Sequence, residues 1–419
     1  MSPSNSSLIG KTILLVSTGS VKKKFILDRM KEIGLNIVAI DETIASWAKP
    51  YLSGEITFAR GTALAEIVEK TASACASYNV DGAITFWEEE IPLLAHICKA
   101  CGFTGNTVEA AMNTRDKFLM QEILKAHGEP HIPHQLLHTH EDLRTAMKTI
   151  GFPAVIKPLF GADSLSVIRV NDEREAERAY TYVLESFQHP YEKLYIYDRG
   201  VCVYQKFVDG QEFSVECCCQ NGTVTVVGMH EKMLMSPPFF VETGDYLPPM
   251  VTDQVRSALE TCAMGGLKAL GVRDSLSHVE IKWTKRGPQI IEAASRMGGD
   301  YTYIATRVVY GADLVQAGCE IALGIPVSTH SARTEKYVTA RYWIPNYSGV
   351  ITEFSTDGLP SFPGVEAFDL SKRIGDTILV PPKGYENAGW IVVSGATPEE
   401  ATERMSAVIA AADLRVRPL

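Results

Sequence analysis

Lys157, Glu280 and Glu292 are charged side chains set in apolar runs, where a soluble chain keeps a charge only if a partner of opposite sign meets it. Lys157 stands in PAVIKPLFGADSLSV, a strand-like run closed by proline and followed by a loop of small residues. An ammonium there needs an anion, and Gly161, Ser164 and Ser166 of the loop offer backbone and hydroxyl donors to the same one. Phosphate is the natural candidate. Glu280 stands in HVEIKW and Glu292 in QIIEAASR, two strand-like runs joined by a turn at Lys285 to Gly287. Pairing them puts both carboxylates on one face within about 5 Å, where like charges need a cation. A hard oxygen-liking ion, Mg2+ or Mn2+, meets that need. Lys117, in a helix beginning at Asn113, adds a second positive charge beside a helix N-terminus, which itself favours anions.

The elements that must carry these residues are legible in outline. KTILLVSTGSVKKKFILDRMKEIGLNIVAIDE reads as strand, glycine turn, amphipathic helix and strand. A helix near Thr62 to Tyr78, a strand at Asp81 to Phe86 and a helix from Ile91 continue the pattern, so residues 1–112 form a doubly wound, Rossmann-like domain. A helix stopped by Gly128, a strand near Pro133 to Leu137 and a helix near Glu141 to Ile150 lead to the Lys157 strand. Strand-rich sequence follows, with Asp209-Gly210 and Asn221-Gly222 as turns. PPFFVETGDYLPPMV reads as a proline-flanked loop, before a helix of about Thr252 to Leu270, the glutamate hairpin and a last helix, Ala312 to Leu323. The expected units are 1–112, an α+β middle of 113–200 and 201–330, and a β-rich tail of 331–419. Thr397 and Glu400 of TPEEA form a capping box for the closing helix.

Composition narrows the chemistry. Acidic residues outnumber basic ones by 50 to 40, the net charge is -10, and no basic cluster exceeds Lys22-Lys23-Lys24, so a nucleic-acid partner is not expected. Residues 1–11 lack an apolar leader and no long apolar run occurs, which points to the cytoplasm and away from membranes. The nine cysteines, an odd number, read as free thiols. Cys98 and Cys101 have zinc-knuckle spacing but no second pair, and Cys217-Cys218-Cys219 alternate across a strand as core. The histidines at 131, 134, 138 and 140 share no face and read as loop and surface. Gly10-Lys11-Thr12 precedes its strand and is no phosphate loop, Ser17-Thr18-Gly19-Ser20 lacks the dinucleotide fingerprint, and His230-Glu231 lacks the second histidine of a zinc protease. A kinase also keeps a lysine in a V-A-I-K strand, but its glycine loop precedes that lysine, and its later motifs are absent here.

Taken in order, RDKF, FPAVIKP, the small-residue loop, QKFVDGQEFSVE, HVEIKW and IIEAASRMGGD resemble the ATP-grasp superfamily of carboxylate-amine ligases, from Asn113 to Ile325. The resemblance implies an ATP-grasp fold after a Rossmann-like domain. It assigns Lys117 and Lys157 to the α- and β-phosphates, with the loop Gly161 to Ser166 above them. The backbone of Gln205, Lys206, Phe207 and Val208 would hold adenine, Glu212 the ribose, and Glu280 and Glu292 the metal. Arg296 would meet the transferred phosphate. Many members carry Asn where this chain has Ala294, so a second metal site would be weaker, or completed by water, Ser295 or another group.

Within the superfamily, Arg296-Met297-Gly298-Gly299-Asp300, the FFVETGDYLPP segment and the tail motifs SGVITEF, GVEAFDL and GWIVVSGATPEEA resemble the L-amino acid ligases that make dipeptides, including dipeptide antibiotics. That implies amide formation through an acyl phosphate, from ATP and two small substrates. Gly298, Gly299, His278, Glu242 and Lys232 would line the substrate site. Purine-pathway or biotin-carboxylase-like ligases and a non-catalytic nucleotide-binding protein are the rival readings. A homodimer is the commonest assembly for a soluble enzyme.

Overall fold

The computed structural model describes residues 7–162, 164–187, 200–328 and 332–419. Residues 1–6, the first part of the stretch read above for an apolar leader, and the expected boundary at 330 lie outside them. The first unit is a parallel sheet in the order Leu52–Thr57, Asn36–Asp41, Thr12–Val16, Gly82–Ile84. Leu14, Val16, Val38 and Ile40 pack beneath the helices Leu64–Tyr78 and Ile91–Cys101, and Ile13, Leu15 and Ile37 face the rest of the molecule. Asp41 does not wait for a ribose: it accepts from the Ser17 hydroxyl at 2.8 Å and the Thr18 N–H at 3.3 Å, fixing the turn after the first strand.

A small antiparallel sheet, His134–Leu137, Cys202–Lys206, Ala154–Pro158 and Ile168–Val170, holds Lys157. Ala154 and Ile156 pack into its helix-covered core, so strand alternation sends Lys157 to the opposite face.

The large sheet has eight antiparallel strands in the order Gly287–Ala294, Ser275–Thr284, Gln211–Gln220, Thr223–Leu234, Glu242–Leu247, Tyr337–Tyr342, Gly389–Gly395, Val365–Leu370. One face is apolar: Phe213, Val215, Cys217, Cys219, Val279, Ile281 and Ile290 meet the helices Asp253–Ala269 and Lys117–Ala126. The alternating residues Glu212, Ser214, Glu216, His278, Glu280 and Lys282 therefore share the other face.

Several expectations are corrected. Glu242–Leu247 is a strand inside this sheet, not a loop. The tail is rich in strands: three of them extend the central sheet and three others form a small sheet of their own. Asp209-Gly210 joins two different sheets, whereas Asn221-Gly222 turns a true hairpin. The helix carrying Lys117 does not start at Asn113. A preceding helix, Val108–Arg115, runs through that position, and Asp116 caps a new one, Lys117–Ala126. A helix at Thr302–Tyr310 was not anticipated. Glu400 does not complete a capping box, since its carboxylate takes the N–H of Ala396 rather than that of Thr397. All nine cysteines carry free thiols. Among the described residues no helix is long and apolar enough to cross a membrane.

Candidate active site

Glu280 and Glu292 lie directly opposite each other on the hairpin. Each carboxylate has a lysine: Lys117 Nζ is 2.9 Å from Glu292 Oε1, and Lys232 Nζ is 2.5 Å from Glu280 Oε1. Lys232 also lies 2.9 Å from Glu242 and 4.0 Å from Glu212, so one buried ammonium serves three carboxylates. Burial works against that charge, but Glu242, Glu280 and Glu212 hold its pKa well above a lysine's usual value. Burial likewise opposes ionisation of Glu280, yet Lys232 and His278 hold it well below the usual carboxylate range. Two facing carboxylates of this kind fit a hard divalent ion. Among the described residues no three His, Cys, Asp or Glu side chains gather as a cage, so water and phosphate oxygens would have to fill the ion's shell, as Mg2+ prefers.

Lys157 is 4% exposed. Burial, then the neighbouring Lys117 ammonium, push its pKa down to about 8, while Glu292, Glu280 and Glu212 pull the other way. Lys117 is placed by Asp116, whose carboxylate accepts the N–H groups of Phe118 and Leu119 at 2.9 Å. Its ammonium also donates to the Gly161 carbonyl at 2.5 Å, tying the small-residue loop to the hairpin. Ser164 and Ser166 both adopt left-handed φ, 55° and 58°, a strained choice for non-glycine residues. Ser166 is buried, so of the two expected hydroxyl donors Ser164 is the more open.

The expected adenine hinge is partly occupied. Lys206 N–H donates to the Pro133 carbonyl, Phe207 N–H to that of Pro153, and the Lys206 ammonium to that of Phe152. Gln205 is buried, with its Nε2 unpartnered among the described residues. Phe207 stacks on Phe240 with a centroid distance of 6.0 Å, beneath Arg169 and Lys282. Glu212 lies between Lys282, at 3.7 Å, and Lys232; burial and then Glu280 push its pKa up to about 7.

Arg296 reaches the site from the loop after the hairpin, with Nε 2.7 Å from Glu88 Oε2. Glu88 comes from the first unit and also meets Arg115 at 3.0 Å. Burial opposes its charge, but Arg296 and Arg115 hold it below the usual range. His278 Nδ1 bonds Glu216, and burial's opposition is overcome by that carboxylate, which pushes the imidazole up to about 9. Glu242 accepts from the Tyr301 hydroxyl at 2.5 Å. Gly298 is packed and Gly299 open. His134, expected at the surface, has its side chain 3% exposed in a strand, packed against Phe118. Sequence reasoning missed Glu88, Arg115 and Glu216. Glu216 had a signal, since it shares a strand face with Glu212; Glu88 stands in a run of three glutamates that reads as solvated.

Residues 150–303 match the model of an ATP-grasp domain, and residues 341–417 that of L-amino acid ligase C-terminal domain 2. The stretch 150–303 is thus similar to an ATP-grasp domain. The chain's C-terminal portion is similar to a domain of L-amino acid ligases. The chain is 25% identical over 337 residues to carnosine synthase 1 of Homo sapiens, covering 75% of this chain and 40% of that protein. It is 27% identical over 268 residues to alanine--anticapsin ligase of Bacillus subtilis (strain 168), covering 60% of this chain and 56% of that one. The matched stretch thus spans about half the length of these relatives. An L-amino acid ligase from Bacillus licheniformis has the same fold, with a TM-score of 0.84 at 22% identity over 98% of this chain and 99% of that chain.

Proposed function

We propose that this chain is an ATP-dependent ligase that joins the carboxylate of one amino acid to the amine of another, releasing ADP and phosphate. The observation that carries this is the facing pair Glu280 and Glu292, flanked by Lys117 and Lys232, with Arg296 held by Glu88 in the loop that follows the hairpin. Lys117 and Lys157 would draw negative charge off a triphosphate. Glu280 and Glu292 would hold a divalent ion, Mg2+ or Mn2+, which supplies charge neutralisation at the phosphates. The loop Gly161 to Ser166 would cover the phosphates, with Val208 N–H at adenine and Glu212 at the ribose.

A substrate carboxylate held beside Arg296 attacks the γ-phosphorus, the bond to the β,γ-bridging oxygen breaks, ADP leaves with its electron pair, and an acyl phosphate forms. The second substrate's amine then attacks the acyl carbon, and phosphate leaves with the bonding electron pair. Arg296 stays oriented throughout by Glu88, and its guanidinium faces the charge that develops on oxygen. Glu242, Lys232, Gly298 and Gly299 would line the amino acid site, with His278 beside it. The resemblance to dipeptide-forming ligases, antibiotic-making ones among them, supports a dipeptide product made in the cytoplasm.

The test is phosphate release from ATP and Mg2+ across pairs of amino acids. Release that needs two amino acids, with a dipeptide in the products, supports the reading. Release driven by bicarbonate instead would move the chain to the biotin-carboxylase-like branch, and no release with any substrate would favour a nucleotide-binding role.

A further inference from the structure

Ala294 brings no side-chain oxygen to the hairpin two residues after Glu292, and the hydroxyl of the next residue, Ser295, is engaged with that of Thr114 at 3.0 Å. What stands at that place comes from the other strand, because His278 is the direct cross-strand partner of Ala294. Side chains opposite each other share a face, so the imidazole occupies the side of the hairpin that the alanine methyl leaves open. Its Nε2 lies 3.5 Å from Glu280 Oε1.

The ring is clamped. Nδ1 bonds Glu216, and the second Glu216 oxygen accepts the N–H of Gly298 at 3.0 Å. Gly298 closes against the ring: a Cβ there would stand 2.9 Å from His278 Nδ1 and 2.6 Å from Thr302 Cγ2. Glu216 is 0% exposed. Replacing a buried ion pair by apolar residues is often neutral or stabilising, so stability alone does not account for a carboxylate at this depth. Its two oxygens instead join the strand of Glu280 to the loop of Arg296.

We propose that the Glu216-clamped ring of His278 closes the side of the glutamate pair left open by Ala294, so that the hairpin holds a single divalent ion. A second ion is refused twice: position 294 brings no oxygen, and the imidazole takes the room beside Glu280. Glu216 is a positioning residue that acts through His278 and Gly298. This inference rests on the reading of the hairpin as the metal and nucleotide site.

The experiment counts Mn2+ bound to the full chain with a non-hydrolysable ATP analogue, from the electron paramagnetic resonance signal of free Mn2+. One ion per chain is expected in the wild type and in Ala294→Asn, and two in the double variant Ala294→Asn with His278→Ala. Two ions in the wild type overturn the single-ion inference and leave the site reading intact. Two in Ala294→Asn alone show that the ring is not the barrier, and a double variant that folds but still holds one ion counts against the inference equally. No bound Mn2+ in the wild type overturns the site reading itself. Glu216→Gln keeps an oxygen for Gly298 and frees the ring, so Mn2+ affinity should fall by about tenfold, as for lost outer-shell partners of a metal site, while metal-free binding of the analogue is unchanged. A lowered melting temperature with Mn2+ affinity unchanged would reduce Glu216 to a structural role.

Discussion

At Lys157 the consequence is measurable as a proton. Burial and Lys117 lower its pKa from 10.5 to about 8, so between those values the folded protein binds fewer protons than the unfolded chain. Stability from this group is therefore lowest below about pH 8 and rises as pH climbs toward 10.5. A triphosphate beside the ammonium restores its charge. ATP binding should take up protons near and above pH 8, seen as a dependence of binding heat on buffer ionisation enthalpy, and Lys157→Met should remove that dependence. Lys157→Ala should cut ATP-dependent turnover more than about 100-fold, the scale of losing a preorganised charge stabiliser, without lowering the melting temperature. Turnover near wild type would contradict the role given to this strand. Lys157, Glu280 and Glu292 were legible because charges among apolar neighbours stand out in one dimension. Glu88 and Arg115 were not, since their ion pair with Arg296 joins residues from three distant segments.

Among the elements, the helix Lys117–Ala126 shows how local chemistry aims a distant charge. Asp116 breaks the preceding helix and caps the next, which turns Lys117 toward the hairpin. Asp116→Ala should cost about 1 kcal/mol of stability by loss of the cap, read in chemical denaturation, and should raise the KM for ATP more than it lowers kcat. An unchanged KM would mean that the cap is structural only. The sequence pattern merged the two helices because Asn113 and Thr114 are good caps in their own right; only burial against the hairpin decides for Asp116. The strand Glu242–Leu247 was hidden for a similar reason. Prolines bound the segment and its residues alternate poorly, and it becomes a strand by pairing with neighbours on both sides.

On the scale of the whole molecule, the site is assembled from the first unit, the small sheet and the large sheet, and Glu88 is where the first meets the last. Glu88→Gln leaves the buried Arg115 and the half-buried Arg296 without their carboxylate. It should destabilise the chain by about 3 to 5 kcal/mol, the cost of breaking a buried pair, and lower kcat by disordering Arg296; a melting temperature and kcat like wild type would refute that coupling. The order of units was legible because each begins with its own periodic pattern. The continuity of the large sheet into the tail was not, since strand neighbours far apart in sequence leave no local trace. The central claim is that an amino acid carboxylate is phosphorylated before the amine attacks. Ligation run with an 18O-labelled carboxylate tests it most directly: the account predicts one 18O in the released phosphate for each dipeptide formed, and phosphate free of label would contradict it.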